Sequence, residues 1–376
     1  MQQDSEFLSE GAKILSVHQR LETTGARCAH IFELDDRLHL AVAQLAKDVP
    51  GRPAHMNMGN PDVDAVLYDW KDGNFVERSR LVSPSGEDAL YFQSGGVNYL
   101  GFANLCTGSE PIEFNANSRI YREAGGEWVL DEEIPAFGAK QLHFFSIGDR
   151  EFLALAQGML IPGTKPSGHG RSVLLERKGG EWQEFQVLGG KAGYNWESFR
   201  IGDQHFLAYA DQASPSLIYR WDGTQFVPYQ SFSESGGRAF LHFSHEDTEW
   251  LAFTDIGSAS TLYRWNGELF VAHQPLGEGG AREFELIWHE NGLFLVRIRF
   301  IEGTPADPKS ELVSQIFRWS DGKFILAEEF PTFGATDASY FRADGSDYLV
   351  VSNSLTPGIR FRQDTVIYKL ALDRVG

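Results

Sequence analysis

Cationic side chains recur at one register of the sequence. Arg27, Glu87, Lys140, Tyr194, Arg238, Arg282 and Thr336 each stand five residues before a repeating apolar anchor, and four of these seven are basic. The anchors are Phe32, Phe92, Phe145, Phe199, Phe243, Ile287 and Phe341. Lys plus Arg totals 33 against 52 Asp plus Glu, a net charge of −19, so cations gathered at one position suit an anion. Arginine donates in pairs and fits a carboxylate or a phosphate. Trp196 lies two residues beyond Tyr194. It joins Arg27, Lys140, Tyr194, Arg238 and Arg282 as a candidate ligand contact. The competing reading is a solvated rim, with arginine stems covering apolar surface.

Two further registers are polar. Four residues before the anchors stand Cys28, Asp88, Gln141, Asn195, Ala239, Glu283 and Asp337; two before stand His30, Leu90, His143, Glu197, Leu241, Glu285 and Ser339. Ionisable groups in a packed interior are costly unless they reach water or one another. They could form acid/base pairs, His143 with Glu197 and His30 with Glu285. Asp88 and Asp337 could hold a cation such as calcium through carboxylate and carbonyl oxygens. The structural alternative is a hydrated polar plug that fixes the register of neighbouring elements.

These registers exist because the sequence repeats. The anchor gaps are 60, 53, 54, 44, 44 and 54 residues, which makes seven copies. Each copy opens with a strand bearing the anchor, turns, and continues as aromatic-Leu-x-x-Ala, as in Phe199-Arg-Ile-Gly-Asp-Gln-His-Phe206-Leu-Ala-Tyr-Ala. A third strand carries Tyr-Arg-Trp or a variant (Tyr219-Arg-Trp221, Tyr263-Arg-Trp265, Phe317-Arg-Trp319). Then comes a turn such as Asp72-Gly73, Asp222-Gly223, Asn266-Gly267 or Asp321-Gly322. Asn-Gly and Asp-Gly suit two-residue hairpins because both central residues take positive φ. A fourth strand opens on an aromatic. Seven copies of four strands predict an all-β, seven-bladed β-propeller as a single domain over residues 1–376. Blade boundaries fall at about 27–82, 87–135, 140–189, 194–233, 238–277, 282–331 and 336–372. The last copy stops after its third strand, and an orphan strand, Ile14-Leu-Ser-Val-His-Gln-Arg-Leu21, matches fourth strands elsewhere. Residues 13–22 are therefore expected to complete blade seven and close the ring, which removes exposed sheet edges.

The pattern Phe-x-Ile-Gly-Asp-x-x-Phe/Tyr-Leu-x-x-Ala, then Ile-Tyr-Arg-Trp-Asn/Asp-Gly, then Phe-x-x-x-Gln-x-x-x-x-x-Gly-Ala, resembles the EAR (epilepsy-associated, or EPTP) repeat. That repeat builds the propeller of the secreted leucine-rich glioma-inactivated proteins. The resemblance runs from about Ile14 to Leu372. It implies a propeller that acts as a binding module for a protein partner.

Position within a propeller locates a site. The inner strands begin on the face that also carries the loops between second and third strands. Those loops are long in blades one, two, three, six and seven, and short in blades four (Gln212 to Ser216) and five (Ile256 to Ala259). Five long loops and two short ones make a bowl open on one side, where functional residues concentrate. His55, Met56, Met58 and His169 belong to them.

Composition narrows the rest. Hydrophobic residues make up 42% and aromatics 13%, ample for a core, so a disordered chain is excluded. The net charge of −19 argues against nucleic acid or anionic membrane as partner. Cys28 and Cys106 are too few for a disulfide framework and lack zinc spacing. No P-loop, GxSxG, HExxH or EF-hand motif occurs. The N-terminal residues carry no basic and apolar signal pattern, so a cytoplasmic location is expected, a secreted form lacking its signal being the alternative. Two functions fit: a binding propeller for a small anionic molecule or a protein, requiring no cofactor, and an enzyme in which the basic collar orients an anionic substrate while His30, His143, Glu197 or Glu285 moves protons.

Overall fold

A computed structural model describes residues 13–57 and 59–374, so Met58 lies outside the described residues. Their strands form seven four-stranded antiparallel sheets and one two-stranded hairpin, Glu302–Thr304 with Asp307–Lys309. The innermost strands are Ala26–Leu34, Gly86–Ser94, Gln141–Ile147, Gly193–Ile201, Gly237–His245, Ala281–His289 and Ala335–Ala343. In blade one the order continues through Arg37–Gln44 and Asp64–Lys71 to Asn74–Val82. The protein is a seven-bladed β-propeller.

Closure follows the predicted route. Leu15–Leu21 pairs antiparallel with Thr365–Leu370, from Leu15↔Leu370 to Leu21↔Thr365, and completes the blade of Ala335–Ala343. Ile14 and Leu15 are buried among Val366, Leu370 and Leu372, so the strand is tied by packing as well as by its ladder.

Anchors and aromatics pack between blades. Phe243 is buried against Trp250, Trp319 and Phe324 of its own and the following blade. A glutamine clip ties the outer strands together. The side chain of Gln19 donates to the Phe75 carbonyl and accepts from its N–H, at 2.7 and 2.9 Å. Gln186 does the same to Phe226, Gln230 to Phe270 and Gln274 to Phe324. Each glutamine spends both ends of its amide on the backbone of the next blade. This is the physical reason for the glutamine four residues after the outer-strand aromatic.

The outer hairpins divide into two kinds. Asp72-Gly73 and Asp321-Gly322 have positive φ at both residues, as a two-residue turn requires. Asp222-Gly223 and Asn266-Gly267 differ: these loops span four residues, closed by Asp222 N–H to Gln225 and Asn266 N–H to Leu269. The Asp222 carboxylate accepts from the N–H groups of Thr224 and Gln225, and that local turn displaces the tighter one.

Candidate functional site: a cationic collar between channel and bowl

The innermost strands share one mode of entry. In six blades the chain arrives through a residue of positive φ: Gly25, Ser85, Gly138, Gly236, Gly280 and Gly334 have φ between 48° and 87°. The next residue is Ala or Gly in every blade: Ala26, Gly86, Ala139, Gly193, Gly237, Ala281 and Ala335. A Cβ on Gly237 would lie 2.0 Å from the Ser216 hydroxyl, so the neighbouring blade admits nothing larger. The residue after that is the collar residue. In six blades it is the extra residue of a β-bulge, the pairing shifting between residues 26 and 28, 86 and 88, 193 and 195, 237 and 239, 281 and 283, and 335 and 337. The bulge re-aims the strand, and in five of these six blades collar residue and successor both line the channel, Ala239 being the exception.

The collar side chains converge on the axis. Glu87 is buried and accepts from Lys140 Nζ at 3.1 Å and Arg282 Nη2 at 2.9 Å, with Arg27 Nε 3.8 Å away. Burial alone would raise its carboxyl, but Lys140, Arg27 and Arg282 overcome this and hold it well below the usual carboxylate range. Tyr194 lies beneath Arg238, 4.0 Å from ring centroid to guanidinium carbon, with Lys140 and Arg282 each at 5.4 Å. Burial would raise its phenol as well, yet Arg238, Lys140 and Arg282 bring it down to about 8. Arg27 and Arg282 sit over Phe300 at 5.1 and 5.3 Å. Four cations thus face one carboxylate. Burial lowers the pKa of Arg27 and Arg238, the sign of charges held short of compensation. Nε and Nη1 of Arg27 and Nε of Arg238 are buried without a hydrogen-bond partner among the described residues.

The collar separates two cavities. On one side is the polar channel, about 340 Å³, lined by Asp88, Asp337, Glu197, Glu283, Glu285 and His30. On the other is a bowl of about 330 Å³ walled by loop residues, among them Leu105, Ile112, Phe114, Met159, Ile301 and Phe361. Arg27, Glu87, Lys140, Tyr194, Arg238 and Arg282 border both. The bowl residues form an apolar cluster of their own with Leu45, Met56, Phe300 and Leu355, so the five long loops support one another. Of the other loop residues, His169 pairs with Glu184 at 3.2 Å and His55 accepts from the Asn57 N–H.

The channel registers are clips between blades. Side chains four before the anchor accept backbone N–H groups of the next blade: Asp88 from Leu142, Gln141 from Trp196, Asn195 from Phe240 and Asp337 from Ala29. Cys28 donates to the Ala89 carbonyl in the same manner. Two before the anchor, Glu197 accepts from His242 and Glu285 from Tyr340, while His143 Nε2 meets both the hydroxyl and the N–H of Ser198. The pairs His143–Glu197 and His30–Glu285 form no hydrogen bond. His143, Glu197 and Glu285 reach around the ring to the next strand, not across to each other. Burial raises Asp88 and Glu197 to about 7, Asp337 to about 6 and Glu285 to about 8, and lowers His30 and His143 to about 4. Among the described residues no group of three or more His, Cys, Asp or Glu is arranged to hold a metal. Asp88 and Asp337 spend oxygens on the clips.

Trp196 leaves the predicted site. Beyond the bulge the strand alternates, Asn195 and Glu197 facing the channel and Trp196 the blade interface. It is fully buried, its ring 4.3 Å from that of Tyr209. Two features of the site are not evident from the sequence: Glu87 as counter-ion at the centre of the collar, and the apolar lining of the bowl. The second has a signal in the large apolar residues of loops, such as Phe114 and Phe300-Ile301.

Comparison with known proteins supports this architecture. Residues 183–222, 225–266 and 323–370 match the EPTP domain. All three run from the outer strand of one blade to the third strand of the next, the frame that the split final blade also requires. The Thrombospondin-type laminin G domain and EAR repeat-containing proteins of Mus musculus and Homo sapiens are similar to it. They are 29% identical over 132 residues and 31% identical over 204 residues, covering 32% and 52% of this chain. The chain spans less than a third of these relatives, 19% and 29% of their lengths. The BBS1N chain of a complex with ARL6DN superposes with a TM-score of 0.56 over 95% of this chain and 97% of that one, at 10% identity. A protein from Lactobacillus plantarum gives 0.55 over 82% and 85%, at 12% identity. Both likenesses are of fold alone.

Proposed function

With EPTP repeats as the material of this propeller, we propose that it is a binding module whose loop face captures an anionic ligand on the collar of Arg27, Lys140, Arg238 and Arg282. One observation carries the reading: Arg27, Lys140, Arg238 and Arg282 converge at the floor of a bowl with Glu87 as their one carboxylate, and Arg27 and Arg238 each keep buried guanidinium nitrogen without a partner among the described residues. Leaving a buried charged donor unsatisfied is costly, and an anion removes the cost. Glu87 answers one of four cations, so the collar retains a net attraction. The channel ionisables support binding over proton transfer, since His143, Glu197 and Glu285 are engaged in holding blades together.

The test is thermal unfolding at constant ionic strength as chloride is replaced by acetate or by phosphate. A ligand that binds only the folded state raises the midpoint with concentration. The native protein should gain, and Arg27→Met with Arg238→Met should lose most of that gain. Equal responses from native and double-variant proteins would refute the reading.

A further inference from the structure

We propose that the ligand is a small carboxylate carrying a compact apolar body, the carboxylate on the collar and the body in the bowl. This rests on the anion-binding reading above and adds the class of molecule. Three features of the site argue for it.

The first is that the collar forms the floor of the bowl. The same six residues border channel and bowl, so an anion reaching Arg27 and Arg238 from the loop face must leave its remainder among the loop residues. Those walls are apolar: Leu105, Ile112, Phe114, Met159, Ile301 and Phe361. A bare inorganic ion would leave them facing water. A fully polar molecule would lose hydrogen bonds there that nothing replaces.

The second is charge. Glu87 accepts one hydrogen bond each from Lys140 and Arg282, and among the described residues nothing accepts from Nε or Nη1 of Arg27 or from Nε of Arg238. That set matches the two oxygens of a carboxylate. A carboxylate brings one negative charge beside Glu87, where a phosphate monoester would bring two.

The third is size. The bowl of about 330 Å³ lies at the small end of the range of small-molecule sites, about 300–1,000 Å³. That admits an acyl or aryl group, not a folded segment. The loops of blades four and five, four residues each (212–215 and 256–259), leave the bowl lowest on that side, which gives such a molecule its entry.

The experiment is calorimetric titration of the full chain with acetate, butyrate and hexanoate, then with hexanamide, hexyl phosphate and an N-acetylated dipeptide ending in leucine. Affinity should rise by about fourfold for each added methylene, and hexanamide should bind at least tenfold more weakly than hexanoate. Met159→Gln together with Ile112→Asn, both on loops, should flatten the rise. Acetate binding with no gain along the series would overturn this inference and leave the anion site standing. Failure of every anion to bind would overturn both. Tighter binding of hexyl phosphate would overturn the carboxylate assignment, and tighter binding of the dipeptide would replace the small molecule by a chain end.

Discussion

Replacing Glu87 with glutamine tests the collar most directly. The carboxylate is buried and meets Lys140 at 3.1 Å, Arg282 at 2.9 Å and Arg27 at 3.8 Å. Removing one partner of a buried ion pair costs about 3–5 kcal/mol, and the loss here should fall toward the lower figure because glutamine keeps one acceptor oxygen. The pH dependence has a definite sign. A carboxyl depressed in the folded state contributes its full stability above the unfolded value near pH 4.3 and loses it as the pH falls through the folded value. The gap between native protein and Glu87→Gln should therefore be constant from pH 8 to pH 5 and narrow below pH 4. The variant also leaves four cations with no counter-ion, so acetate should restore stability to it more than to the native protein. An anion at a hundredfold its dissociation constant returns about 2.7 kcal/mol. Urea unfolding at fixed ionic strength, in chloride and in acetate, reads both effects. A variant as stable as the native protein at pH 7, or one gaining no more from acetate, would refute the collar as an uncompensated cationic site.

Three further outcomes are expected. Glu285→Gln should match the native protein at pH 4 and exceed it by roughly 4–5 kcal/mol at pH 8.5: burial lifts Glu285 to about 8, so its contribution is full below the unfolded value and is lost as the pH rises through 8. Superimposable profiles of denaturation midpoint against pH would show that Glu285 is not held in that way. Deleting residues 1–22 removes Leu15–Leu21 from its pairing with Thr365–Leu370 and should produce aggregation or loss of cooperative unfolding, checked by light scattering and calorimetry; an unchanged melting temperature would contradict the closure. Phe243→Ala should cost about 3–5 kcal/mol in chemical denaturation, because Phe243 is buried between two blades; a loss under about 1 kcal/mol would contradict that packing.

The architecture is legible because each blade writes the same local rule. The anchor, the aromatic of the outer strand and the glutamine four residues on all recur, and each has a contact that explains it. The closing strand is legible for the same reason, since Ile14 to Leu21 carries a fourth-strand pattern with no first three strands before it. The collar positions are readable as a register, but their chemistry is only half readable. Glu87 stands as one exception among cations, and only convergence on the axis shows that it binds three of them. Counting residues from Tyr194 puts Trp196 at the mouth, because a count cannot show a bulge, and the bulge sends Trp196 to the blade interface. The channel ionisables look like acid/base partners because the sequence gives their level. It does not reveal that the nearest unmet group is the backbone N–H of the next strand.

The bulge has a consequence for how such a protein can diversify. In six of the seven blades the collar residue is the one position of its strand with no pairing partner, and a small residue stands before it whichever side chain the collar position carries. Arg27, Glu87, Tyr194 and Thr336 already occupy equivalent places in one molecule, so the ring tolerates cation, anion, aromatic and hydroxyl alike. The seven places are teeth on a fixed wheel, but Glu87 and the cations it meets are coupled and must change together. The step before is stricter where it is glycine: a Cβ on Gly193 or Gly237 would meet the Ser172 or Ser216 hydroxyl of the preceding blade at 2.3 or 2.0 Å.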